Sequence, residues 1–82
     1  MTQVQSGMSD AFSQVVKKYR ERNGLSRAAL AKKSGLHQTY IGLLERAERS
    51  PNLDTAKSIA SALGLTLAQA IAESERIYKR GK

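Results

Sequence analysis

The side chains able to do chemistry are few, and their types narrow the field quickly. The chain has one histidine, His37, and no cysteine. A lone imidazole cannot build a His-rich zinc site, and it serves as a general base only beside a nucleophile and an orienting acid. Disulfide frameworks, thiolate metal sites and cysteine nucleophiles are absent together. No phosphate-cradling glycine-rich loop or metal cluster appears, so the sequence implies no enzyme, no cofactor and no metal. What remains is charge. Fourteen Lys and Arg stand against seven Asp and Glu, a formal net charge of +7. From Lys17 to Lys33 there are seven basic residues (Lys17, Lys18, Arg20, Arg22, Arg27, Lys32 and Lys33) and one acid, Glu21. That excess points to a polyanionic partner.

The basic run leads into residues 26–46, which read as two short helices joined at Gly35. Gly35 can take the positive φ a reversal needs. Ala31 is small enough for a second helix to cross closely above it. Leu36, Ile41 and Leu44 anchor that second helix, and its polar start, His37, Gln38, Thr39 and Tyr40, is left facing outward. A helix presented this way fits the major groove of B-DNA with its first residues against base edges.

The rest of the chain must hold that helix. Its 82 residues make one domain. No run alternates with a strand's period, and the fold class is all-α with five helices. Ser9 is the expected N-cap of the first helix, with Asp10 in its first turn. Phe12, Val15, Val16 and Tyr19 form its apolar stripe, and Asn23-Gly24 ends it. Ser26 caps a second helix, Arg27 to Ser34. The third runs from Gln38 to about Ala47, with 38–46 as the recognition helix. Asn52 caps a fourth, burying Leu53, Ala56, Ile59, Ala60 and Leu63. Thr66 and Gln69 spell a capping box for a fifth, which carries Leu67, Ala70, Ile71, Ser74, Ile77 and Tyr78. Residues 1–8 are uncharged and read as a flexible leader, 9–79 as the domain and 80–82 as a basic tail. No apolar run reaches the 18 or so residues of a membrane span, and the leader lacks a signal peptide's apolar core. Residues 66–80 are amphipathic, but Glu73 and Glu75 interrupt the basic face that a membrane surface would need. A cytoplasmic protein is expected.

Residues 9–72 resemble the phage-repressor (Cro-type, Xre-like) helix-turn-helix family. The likeness rests on Lys18 to Ser26, on residues 26–46 and on Leu53 to Leu65. Within that family, Leu36 to Gly42 followed by Glu45-Arg46 looks most like the controller proteins of restriction–modification systems. The resemblance implies a transcriptional regulator of double-stranded DNA, binding as a homodimer to a pseudo-palindrome. It implies base reading by Gln38 and Thr39, with Gln38 suited to adenine. Leu43 departs from repressors that carry a polar reader at its position; one turn beyond Thr39, it either meets a thymine methyl or is a partly exposed packing residue. Where Gln38 stands, controller proteins often carry Arg. Phosphate contacts fall to Arg27, Lys33, His37, Tyr40, Arg46 and Arg49. For His37 an N-cap role, and for Tyr40 a ring packed on the second helix, are the alternatives. Arg20 is expected to pair with Glu45. Ala47 replaces a glycine common at the recognition helix's end, so that helix is expected to run on toward Glu48. Leu65, Leu67, Ile71 and Ile77 exceed what a core of this size needs and are the expected dimer surface; the alternative is that Leu67 and Ile71 simply cap the core. The rival function is an antitoxin, the same DNA reader with a toxin protein bound on residues 73–82.

Overall fold

Side-chain oxygens set where three of the helices begin. In the computed structural model, which describes residues 7–80 (Arg80 by its backbone alone), Ser26 Oγ accepts from the Ala29 N–H at 3.0 Å. Asn52 Oδ1 accepts from the Thr55 N–H at 2.8 Å. Thr66 and Gln69 close a reciprocal box, each side-chain oxygen accepting from the other's N–H, at 3.0 and 2.9 Å. Each bond satisfies a backbone donor that the helix itself leaves free. The five helices are α1 (Met8–Arg22), α2 (Arg27–Ser34), α3 (Gln38–Glu45), α4 (Leu53–Ala62) and α5 (Leu67–Arg80).

Their apolar faces meet in one core built from Phe12, Val16, Leu30, Ile41, Leu44, Ile59 and Leu63, with Ala31, Ala56, Ala60 and Ala70 at the close crossings. α5 returns along α1, while α2 packs on both α3 and α4. Where α1 and α5 meet, Ser13 and Ser74 are buried, and each hydroxyl donates to the carbonyl four residues back, Ser9 and Ala70. Asn23 adds a tie that its role as a helix stop does not suggest: its Nδ2 donates to the Leu63 carbonyl at 3.1 Å, joining the ends of α1 and α4.

Four expectations need correction. α1 starts at Met8 with Gly7 as N-cap, and Ser9 lies inside it, because the Ala11 N–H finds the Gly7 carbonyl at 3.2 Å. The flexible leader therefore does not extend to residue 8, and its residues 1–6 lie outside the described part. At the other end Arg80 continues α5 rather than opening a tail, and 81–82 are likewise outside it. Leu53 is 73% exposed rather than buried. It is the first residue of α4, and a helical side chain covers the turn N-terminal to its own Cα, which here lies off the end of the packed layer.

The last correction concerns α3, which stops at Glu45 rather than running on. Arg46 is its C-cap, and Ala47 takes the left-handed conformation with φ 62°. The Ala47 and Glu48 N–H groups bond back to the carbonyls of Leu44 and Leu43 at 2.9 and 2.8 Å, a Schellman end made without glycine.

Candidate nucleic-acid interface

Helix α3 is held by its buried side. Ile41 and Leu44 are fully buried. Its N-cap, His37, gives its backbone carbonyl to the Ile41 N–H at 3.2 Å, but its imidazole makes no capping bond. The capping alternative for His37 is therefore not what the fold uses. His37, Gln38 and Thr39 are all exposed, and their side chains make no hydrogen bond among the described residues. Tyr40 is half-buried with its ring against the core.

At the far end of α3, the Glu45 side chain is 1% exposed. One of its oxygens accepts from Arg20 Nε at 2.6 Å. The other accepts from Arg20 Nη2 and from Arg27 Nε, both at 3.1 Å. Arg20 Nη1 donates to the Leu25 carbonyl at 2.9 Å. Hydrogen bonding to Glu45 raises the Arg20 guanidinium above the ordinary arginine range and outweighs burial, which acts the other way. Arg20 is thus a fixed cation that ties α1 to α3.

An open groove of about 510 Å³ runs along the start of α3, lined by Arg27, His37, Gln38, Thr39, Gly42 and Arg46. The Arg46 side chain folds back over Gly42; a Cβ there would meet Arg46 Nη1 at 3.4 Å, close to ordinary contact. Arg46 Nε also donates to Glu48 at 3.1 Å. The fold therefore gathers three donor side chains at the start of α3 with two guanidiniums beside them, an array suited to base edges and phosphates.

Not every expected residue joins this groove. Lys33 lines a different one between α2 and α4, with Lys57, Ser58 and Ser61. Arg49 is exposed in the segment after α3, and Leu43, four residues after Thr39 on α3, is half-buried. Leu65, Leu67 and Ile71 are half-buried and pack on the core; Ile77 is half-buried outside it. The contact between Arg27 and Glu45 was not foreseen. Eighteen positions and two helices separate them, so no periodicity relates their charges.

A short helix with an exposed polar start, seated on a second helix through a tight glycine turn, defines a helix-turn-helix DNA-binding module. The chain belongs to the HTH_3 helix-turn-helix family, whose model matches residues 16–69. The control protein C.SmaI of Serratia marcescens is 42% identical over 60 residues, 73% of this chain and 71% of that one. The restriction-modification controller protein C.AhdI from Aeromonas hydrophila is similar in structure, with TM-score 0.72 and 32% identity over 76% of this chain and 94% of that one. The clp gene regulator ClgR from Corynebacterium glutamicum shares the fold, with TM-score 0.87 at 20% identity over 95% and 83% of the two chains. The protein is a DNA-binding transcriptional regulator similar to the restriction–modification controllers, and it is not an enzyme. Among the described residues, no helix is long and apolar enough to cross a membrane.

Proposed function

We propose that the protein reads a pseudo-palindromic operator as a homodimer, with α3 in the major groove of each half-site. The observation that carries this reading is the start of α3, where Gln38 and Thr39 are exposed and, among the described residues, without hydrogen-bond partners beside Arg27 and Arg46. Gln38 pairs with an adenine edge, Thr39 offers a hydroxyl or a methyl, and Leu43 meets a thymine methyl one turn on. Arg27, His37, Arg46 and Arg49 hold phosphates, with the Tyr40 hydroxyl beside them. Lys33, also a phosphate candidate, stands apart from the α3 groove, in the one between α2 and α4.

Each chain offers one α3. Two half-sites about 34 Å apart, one helical turn, therefore need a second copy. The exposed remainder of Leu65, Leu67 and Ile71, which also pack on the core, together with Ile77 on α5, supplies the contact between copies. Such a regulator acts in the cytoplasm.

Selection from a random duplex pool at about 150 mM salt tests this, since salt at that level suppresses purely electrostatic binding. Enrichment of a pseudo-palindrome with half-site centres about 10 bp apart is the expected result. A pool that is bound but not enriched would overturn it.

A further inference from the structure

Glu45 faces two guanidiniums, so one positive charge in this cluster is uncompensated by it. Arg20 is not where that excess shows. Its Nε and Nη2 are on Glu45, its Nη1 is on the Leu25 carbonyl, and the exposed Glu21 carboxylate lies 3.9 Å away. Arg46, across the groove, is matched by Glu48. The excess falls on Arg27, whose side chain is 44% exposed. Only its Nε is engaged; its two Nη groups have no partner among the described residues. A guanidinium anchored through Nε keeps open the edge that makes two parallel hydrogen bonds to a phosphate.

We propose that Glu45 is a positioning residue for DNA-phosphate binding: its buried carboxylate holds Arg27 by Nε so that the Nη pair is already set for a phosphate beside α3. This rests on the DNA reading above. It makes the last residue of the recognition helix an indirect part of the backbone contact. An arginine free to rotate would have to be ordered on binding, and fixing one such side chain in advance is worth about three- to tenfold in affinity.

The test is a titration with a labelled random-sequence duplex of about 30 bp, where phosphate contacts dominate, across a range of salt. Arg27→Ala is expected to lower the salt slope by about one unit. Arg27→Lys keeps the charge and the fold but has no Nε to anchor, and it is expected to bind about three- to tenfold more weakly than wild type. Glu45→Gln, with its folded state checked by melting, is expected to lose about as much in the wild-type background and less than about twofold in the Arg27→Ala background. Arg27→Lys binding as tightly as wild type would overturn the proposal. So would equal losses from Glu45→Gln in both backgrounds, which would confine Glu45 to holding the fold. An unchanged salt slope in Arg27→Ala would remove the phosphate contact itself. A wild-type chain that bound no duplex at all would overturn the DNA reading as well, and no other outcome does so.

Discussion

Replacing Ala47 with glycine should make the protein more stable. Four helices end in the same pair of backbone bonds, and three of those ends place a glycine in the left-handed position: Gly24 at φ 67°, Gly35 at 74° and Gly64 at 83°. The fourth places Ala47 there at 62°. An L-residue with a Cβ pays about 1–2 kcal/mol for that conformation. Glycine returns about 0.4–1 kcal/mol of this through the greater entropy of its unfolded chain. The net gain for Ala47→Gly is then about 0.5–1 kcal/mol. In a domain of this size, that raises the melting temperature by about 2–8 °C. Thermal unfolding by far-UV circular dichroism, at one fixed protein concentration so that self-association does not enter, measures it. Gly24→Ala and Gly64→Ala are the controls. A Cβ at either position would meet nothing within 4 Å, so only the backbone torsion changes, and both should melt lower by a similar amount. A melting temperature that stays level or falls in Ala47→Gly, while both controls fall, would refute the claim that strain is stored at this helix end.

Three further outcomes are expected. Glu45→Ala strands the buried Arg20 and should cost about 3–5 kcal/mol, against about 0–1 for an exposed pair; a melting shift below about two degrees would reject the buried-pair account. Gln38→Ala should leave stability unchanged, cost about 1–3 kcal/mol of operator binding and relax preference at one base pair, read by comparing operator variants. An unchanged ranking of those variants would mean that another residue reads. Ile77→Glu puts a charge on the proposed dimer face at a position that does not pack on the core, so sedimentation velocity should show a folded monomer.

Much of this was legible because local chemistry decided it. Ser26, Asn52 and the Thr66–Gln69 box cap the helices they were expected to cap, each through a bond spanning three residues. The basic groove beside Gln38 followed from anchoring α3 by Ile41 and Leu44. The misreadings share a different cause. Alanine's poor tolerance of positive φ argued for a longer α3. The chain instead turns at Ala47, where two backbone bonds complete the helix end. Leu53 fits the apolar spacing of α4, but spacing does not say where the neighbouring layer stops. Arg27 and Lys33 looked equivalent as charges; only the packing of α2 sends one to Glu45 and the other to the groove shared with α4.

The exposed start of α3 has a consequence for how such a regulator changes its target. His37, Gln38 and Thr39 are bound to nothing else in the described fold, while Ile41, Leu44 and Glu45 hold the helix in place. On the proposed reading, exchanging Gln38 and Thr39 would alter what is read and leave the scaffold's melting behaviour almost untouched. A lineage built on this domain would then drift to a new operator by single substitutions without passing through an unfolded ancestor. Two copies that diverge at these positions can share one cell without cross-talk.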